Sequence, residues 1–289
     1  MNSKPHRDTI LVEDAQIISH EAHPGDQYVM RVQAPGCAAR TRPGQFAHLT
    51  VDPLRPMRRP ISIMRVSPEQ GWVDFLYKVV GEGTALLAQR QVVESLSLMG
   101  PIGVPFDVRE KRPLLIGGGV GMPPMIAIAE ALQDSDKTPF AILGSEVPFP
   151  FRQVPSTIVL PGMPDGVIGA MPLLEDWGIA SRLASLQGYP GCFEGYVTDL
   201  ARHWLDALDE ATRRQVGIYA CGPHPMLEAV VKLAREYGLP VQVSLEEFMA
   251  CAVGGCAGCV VEVSTEHGPA MKRVCVDGPV FDGYRVFDQ

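Results

Sequence analysis

Four cysteines near the C-terminal end constrain this chain more than any other feature. Cys251 is followed after four residues by Cys256 and after two more by Cys259, and fifteen residues separate Cys259 from Cys275. This is a ligand order that holds a [2Fe–2S] cluster. Four thiolates must converge on two irons while backbone amides point at the sulfurs, and only a tight loop of small side chains allows both. Ala252-Val253-Gly254-Gly255-Cys256-Ala257-Gly258 is such a loop. Zinc and free thiols are the alternatives. Structural zinc sites usually pair their ligands in two short Cys-x2-Cys hairpins, whereas three of these cysteines share one glycine-rich loop. Val260 to Val263 reads as a strand carrying the chain away and back toward Cys275. The stretch after Leu245 is too short for a large core, so a metal centre would help to stabilise it.

The other three of the seven cysteines, Cys37, Cys192 and Cys221, are scattered, which favours metal ligation over a disulfide framework. The net charge of −8 and the lack of a lysine–arginine cluster leave no electrostatic footprint for nucleic acid. Met1 to Ile10 is polar and lacks the apolar segment of a signal peptide. The longest apolar stretch, Leu114 to Ala129, holds four glycines and two prolines and is too short to span a bilayer. No membrane role and a cytoplasmic location are therefore expected. With 289 residues, two or three domains can each bury a core.

The first hundred or so residues read as short strands, Tyr28–Val32, Gln45–Val51, Ile61–Val66, Trp72–Val79 and Ser95–Met99, separated by glycine and proline turns. That spacing predicts a small antiparallel barrel or sandwich. From Arg112 the pattern becomes strand–helix alternation, which predicts a parallel α/β domain. Its strands are Pro113–Ile116, Phe140–Leu143, a weaker Ile158–Leu160, Val216–Ala220 and Val241–Leu245. Its helices are Met125–Leu132 and Pro225–Tyr237, the latter capped by Gly238. Pro148 to Gly195 is rich in glycine and proline and is expected to form long loops with one helix near Glu175–Leu186.

Two groups of residues carry further chemistry. Arg59-Pro60-Ile61-Ser62 opens a strand, where the arginine fork can pair with a phosphate and Ser62 can hydrogen-bond a flavin ring edge. Taken alone, these four residues also fit an exposed arginine beside a strand. Leu76-Tyr77-Lys78 ends another strand, and Gly81-Glu82-Gly83-Thr84 then opens a helix whose amides could grip a phosphate together with Arg59. Farther on, Gly117, Gly118, Gly119 and Gly121 form a glycine turn between a strand and a helix. Pro124 stands where the third glycine of the usual dinucleotide fingerprint would be. The Cys221-Gly222-Pro223 loop ends a later strand, and two such loops at the carboxyl edge of a parallel sheet suggest a nucleotide site. Cys221 reads as lining that site or packing beside it, not as a nucleophile. His203, His224 and His267 read as surface or loop residues.

In this order the pieces resemble the ferredoxin reductase superfamily, and most closely the electron transfer subunits of dihydroorotate dehydrogenase B. The resemblance rests on Arg59-Pro60-Ile61-Ser62, Gly83-Thr84, the Gly117–Met125 turn, Tyr219 to Leu227, Ser244 to Cys251, and Val274-Cys275-Val276-Asp277-Gly278-Pro279-Val280-Phe281. Many reductases of the wider superfamily have an aromatic residue at the Ile61 position and the narrower family does not. The Pro148–Gly195 stretch is longer than the resemblance leads one to expect.

The resemblance implies an α+β multidomain chain with a FAD-binding barrel over residues 1–110, a NAD-binding α/β domain over 111–240 and a [2Fe–2S] domain over 241–289. It implies FAD on Arg59, Pro60, Ile61, Ser62, Leu76, Tyr77, Lys78, Gly83 and Thr84. NAD would lie at Gly117, Gly118, Gly119, Gly121, Cys221, Gly222 and Pro223, and the cluster on Cys251, Cys256, Cys259 and Cys275. It further implies a partner, an FMN-containing catalytic subunit that oxidises dihydroorotate, in a heterotetramer of two of each chain. Two other readings are a related reductase subunit serving a hydrogenase or ferredoxin-linked partner, and a redox-sensing or zinc-stabilised binding module.

Overall fold

The computed structural model describes residues 8–52 and 54–287. Most of Met1 to Ile10, and Pro53, fall outside the described residues. The chain divides into two compact units, residues 1–106 with 244–281, and residues 107–243 with 282–289.

The first unit holds a closed barrel of six strands. They are β1 (Leu11–His23), β2 (Gln27–Gln33), β3 (Phe46–Leu49), β4 (Arg59–Ser67), β5 (Trp72–Lys78) and β6 (Ser95–Ile102), in the order β1-β2-β5-β4-β3-β6. Its neighbouring strands pair antiparallel. Closure leaves no open edge, and alternate residues fill the interior. Ala15, Ile17, Met30, Val32, Ala47, Leu49, Ile61, Ile63, Val73, Phe75 and Tyr77 form that core. Strand β1 is absent from the sequence expectation because its outward residues Asp14 and Gln16, and the half-buried Glu13 that takes the Gly36 and Cys37 amides, dilute the apolar signal. Two short helices, α1 (Pro35–Ala38) and α2 (Glu82–Ala88), complete the barrel segment.

The second unit is built on a sheet containing β7 (Arg112–Gly118), β8 (Phe140–Gly144), β11 (Ala180–Ala184), β12 (Val216–Cys221) and β13 (Val241–Ser244), in the order β11-β8-β7-β12-β13. The β11–β8, β8–β7 and β7–β12 pairs are parallel. Strands β7 and β12 are buried almost throughout, as covering both faces of a parallel sheet requires. Helices α3 (Met122–Ala131), α5 (Val197–Asp206) and α7 (His224–Tyr237) follow strands or loops of this unit, with the short α4 (Pro172–Asp176) and α6 (Glu210–Arg213) between them. Gly238 ends α7 in the left-handed conformation (φ 66°, ψ 33°), as its glycine predicts. Among the described residues no helix is long and apolar enough to cross a membrane.

The Pro148–Gly195 stretch differs from expectation. Ile158–Leu160 is not a strand; the short pairing there joins β9 (Val154–Pro155) to β10 (Gly169–Ala170). The expected Glu175–Leu186 helix is instead the end of α4 followed by β11. Ala180-Ser181-Arg182-Leu183-Ala184 has little β propensity, but it is fully buried and paired with β8, so tertiary context decides its conformation. The loops are tied by two charged side chains. Arg182 donates Nε to the Val167 carbonyl (3.1 Å), Nη1 to that of Ser181 (2.7 Å) and Nη2 to that of Ile158 (2.7 Å). Glu175 accepts from the Ser156 hydroxyl (2.9 Å) and from the Thr157 amide and hydroxyl (2.6 and 2.7 Å).

After β13 the chain returns to the first unit. The cysteine loop is followed by a hairpin of β14 (Val260–Thr265) and β15 (Gly268–Arg273), then α8 (Val274–Asp277) and β16 (Val280–Asp282), which straddles the boundary between the units; α9 (Gly283–Val286) follows. This segment is fastened to the end of the barrel. The Val104 amide donates to the Gly278 carbonyl at 2.6 Å, and the Leu245 amide to that of Pro279 at 2.9 Å.

Candidate functional site

The cysteine loop curls because three of its residues adopt left-handed backbone: Ala252 (φ 53°), Gly254 (φ 84°) and Ala257 (φ 53°). Such reversals turn successive amides inward, which makes an anion-binding concavity. The amides duly meet sulfur. Cys256 N–H donates to Cys251 Sγ and Gly258 N–H to Cys256 Sγ, each at 3.4 Å. Cys259 and Cys275 stand sulfur to sulfur at 3.3 Å, brought together by the β14–β15 hairpin and by the Val274 amide donating to the Cys259 carbonyl at 2.9 Å. Arg273 clamps the loop from below, Nη1 donating to the Gly254 carbonyl at 2.9 Å. Its own amide donates to Asp277 Oδ2 at 2.9 Å.

All four thiols are free. Among the described residues no three Cys, His, Asp or Glu side chains form a group for a single metal ion. The sulfurs stand as two pairs, Cys251 with Cys256 and Cys259 with Cys275, and two thiols at each of two positions match the ligand count of a two-iron cluster. Burial works to raise the Cys251 thiol, but the backbone amides of Cys256, Val253 and Gly255 and the Cys256 thiol bring it down to about 6. A thiolate is therefore favoured before any metal arrives. Cys275 is pushed up to about 12 by burial and by the Cys259 thiol against it. The donor set and the amides aimed at sulfur fit an iron–sulfur cluster.

On the barrel, register decides which expected residues face outward. Phe46 pairs with Ser62, Ala47 with Ile61 and His48 with Pro60. Ala47 and Ile61 belong to the core, so alternation turns His48, Pro60 and Ser62 to the outer face. In β5 the same rule turns Tyr77 inward. Its hydroxyl lies 2.8 Å from His20 Nε2 and its ring stacks on Tyr28. The side chains of Ile61 and Tyr77 thus serve the core, and only their main chain is left for a ligand. Leu76 and Lys78 alternate to the outside.

Gly83 sits at the start of α2 against the Arg59 guanidinium, where a methyl group would collide with it. Thr84 closes the turn: its hydroxyl accepts from the Val80 amide (3.0 Å) and donates to the Gly81 carbonyl (3.1 Å). The structure therefore brings Arg59 and the Gly81–Thr84 turn together, as a shared phosphate grip requires.

In the second unit, Cys221 pairs with Gly117 across the β12–β7 ladder, so both glycine-bearing loops leave neighbouring parallel strands at their carboxyl ends. They touch: a methyl group on Gly121 would strike the Cys221 carbonyl, so that glycine serves loop packing. Gly119 differs, with φ 55° and open space beside it. Pro124 lies buried in the first turn of α3, where its missing N–H costs nothing. Cys221 is fully buried beneath this edge, which leaves it a packing residue.

The comparisons with known proteins fit this geometry. A family model, the iron–sulfur cluster binding domain of dihydroorotate dehydrogenase B, matches residues 246–287. The dihydroorotate dehydrogenase B (NAD(+)) electron transfer subunit of Desulforamulus reducens is 30% identical over 287 residues, covering 95% of this chain and 98% of that one. The same subunit of Geobacillus kaustophilus is 34% identical over 250 residues, covering 83% and 84%. This chain belongs to the dihydroorotate dehydrogenase B electron transfer subunit family. It is an oxidoreductase electron transfer component. Its fold is that of the ferredoxin reductases. The solved structure of an NADH-dependent reduced ferredoxin-NADP oxidoreductase, studied for flavin-based electron bifurcation, matches it with a TM-score of 0.74 at 27% identity, covering 94% of this chain and 89% of that one.

Within this member of the family, three residues near the site carry no motif of their own: His48, Arg58 and Arg273. Arg58 donates to the carbonyls of His48 (3.1 Å) and Ser97 (2.8 Å) and to the Ser97 hydroxyl (2.8 Å). His48 is buried; burial first, and then the Arg58 charge, pull its imidazole down to about 4, while the backbone of Met249 favours the cation. The only sequence signal was a histidine set in the otherwise apolar strand Phe46-Ala47-His48-Leu49.

Proposed function

We propose that this chain passes electrons from an FMN-containing dihydroorotate dehydrogenase subunit, through a [2Fe–2S] cluster and FAD, to NAD+. The step belongs to de novo synthesis of UMP, in the cytoplasm, within a heterotetramer of two of each subunit. The observation that carries the reading is the pairing of the four thiols under inward amides in the same unit as the Arg59–Gly83 grip. FAD, [2Fe–2S] and NAD are the cofactors of the family. Flavin, when bound, exchanges a hydride with nicotinamide and single electrons with a cluster, which is why the chemistry needs all three.

The residues divide the work. Cys251, Cys256, Cys259 and Cys275 hold the cluster, and the amides of Cys256 and Gly258 spread its negative charge. Arg59, with the Gly83–Thr84 turn, takes the FAD pyrophosphate. Pro60, Ser62, Leu76 and Lys78 offer side chains to the flavin, and Ile61 and Tyr77 offer main chain. Gly117, Gly118, Gly119, Gly121, Gly222 and Pro223 form the nicotinamide nucleotide edge, with Cys221 packed below. The division into residues 1–110, 111–240 and 241–289 follows these three tasks.

The test is purification with the catalytic partner followed by a dihydroorotate:NAD+ assay. The reading requires stable association and dihydroorotate-dependent NADH formation. A complex that forms but produces NADH only when reduced ferredoxin replaces dihydroorotate would overturn it. That outcome would instead support the second reading, a ferredoxin-linked reductase subunit, which the near full-length likeness to the NADH-dependent reduced ferredoxin-NADP oxidoreductase favours.

A further inference from the structure

His48 has no part in the function proposed above, yet it stands where a polar ring is costly. It is 1% exposed, and neither ring nitrogen has a formed hydrogen bond. An imidazole always carries a donor, and buried polar groups are nearly always matched, so an unmatched one in a native core calls for a reason. Register fixes its direction: it faces outward beside Pro60 on one neighbouring strand and Met99 on the other, on the face that carries Ser62. The main chain beneath it is held rigidly by Arg58. Two backbones act on the imidazole, that of the buried Met249 in the segment entering the cysteine loop first and that of Arg58 second, each by a contact too loose to count as a formed hydrogen bond. Met249 stands two residues before Cys251, and all these residues lie in one unit.

We propose that His48 is the positioning residue that couples the flavin strand to the cluster loop: its ring N–H closes on the Met249 carbonyl in the loaded protein and fixes the seat of the loop over the Pro60–Ser62 face. The proposal rests on the reading of that face as the flavin side. His48 carries no electron and no bond to it is made or broken in turnover. It acts on how often the loop occupies the arrangement in which electrons cross between flavin and cluster.

The test uses the chain loaded with FAD and iron, and NADH as reductant, so no partner subunit is needed. H48L and H48F remove the donor, while H48Q keeps one. FAD and iron per chain, and the rate of flavin reduction by NADH, are expected to stay as in the wild type. Cluster reduction, followed by freeze-quench electron paramagnetic resonance, is expected to slow about tenfold in H48L and H48F, the population change that loss of one buried hydrogen bond brings. H48Q should recover most of the rate. Cluster reduction at the wild-type rate in loaded H48L or H48F, or an H48Q no faster than H48L, overturns the proposal. Should the leucine and phenylalanine variants not hold their cofactors, the oxidised wild type labelled with ¹⁵N-histidine decides. A His48 ring N–H hydrogen-bonded to the Met249 carbonyl, identified by coupling across the bond in a chain that also carries ¹³C-methionine, is required; two free ring nitrogens, or a bond to the Arg58 carbonyl instead, overturn the proposal. A wild-type chain that binds no flavin or no iron fails before any variant is compared, and that failure belongs to the functional reading.

Discussion

At the scale of single residues, the cysteines separate by environment. Cys251 is brought down to about 6, whereas burial pushes the Cys37 thiol up to about 12 despite a contact with Thr41. Above pH 6 Cys251 is mostly thiolate, and Cys37 remains protonated across the whole neutral range. After iron is stripped with a chelator, iodoacetamide at neutral pH should label Cys251 early and Cys37 last, as peptide mass mapping can follow. Rapid labelling of Cys37 would contradict the assigned environments. Gly83 gives a second residue-scale expectation. Alanine is a good helix former, so G83A should change apoprotein stability by less than about 1 kcal/mol. Its methyl group displaces Arg59, however, so FAD affinity should fall by about tenfold or more, since an arginine–phosphate hydrogen bond contributes ~1.5–3 kcal/mol. Unchanged FAD binding by titration would remove Arg59 and Gly83 from the phosphate grip. Tyr77 should behave in the opposite way. Y77F loses the His20 contact, costs about 1 kcal/mol in denaturant unfolding, and leaves the flavin spectrum alone, because that side chain faces the core. The cysteine loop was legible because ligand spacing is written in sequence order. The inward turn of Tyr77 was not, since it depends on the register of β5 in a closed barrel.

At the scale of elements, legibility followed how local the deciding physics is. Helix α7 and its Gly238 cap were readable, because the cap is chosen by one residue's conformational freedom. Helix α5 carries a clean apolar spacing at Val197, Leu200, Ala201, Trp204 and Leu205, yet it was not among the expected helices, because the glycine- and proline-rich run before it obscured its start. Strand β11 was unreadable in principle, since Ala180–Ala184 becomes a strand only by pairing with β8. The loops around it depend on Arg182, whose fork satisfies three carbonyls from a site that is 5% exposed. R182M should destabilise the second unit by roughly 2–4 kcal/mol through those unmatched carbonyls. Limited proteolysis should then open the chain between Ser156 and Val167 while the cluster and flavin spectra persist. A variant as protease-resistant as the wild type would show that other contacts hold the loops.

At the scale of the whole molecule, the order of motifs along the chain was legible and the assembly of the first unit was not. The cysteine segment is far from the barrel in sequence, but it folds into the same unit through Val104, Gly278 and Pro279. That return puts the cysteine loop and the barrel in one unit, and under the proposed function it makes the four cysteines the point where electrons enter. The most direct measurement replaces Cys256 by serine in the complete complex with its catalytic partner and follows two reactions together. Dihydroorotate-dependent NAD+ reduction should fall at least about a hundredfold, while NADH oxidation by a dye that accepts electrons from the flavin stays near the wild-type rate, because a broken cluster closes the entry from the partner and leaves hydride transfer intact. If the serine variant, shown to lack its cluster, still reduces NAD+ with dihydroorotate at the wild-type rate, the route through the cluster is wrong.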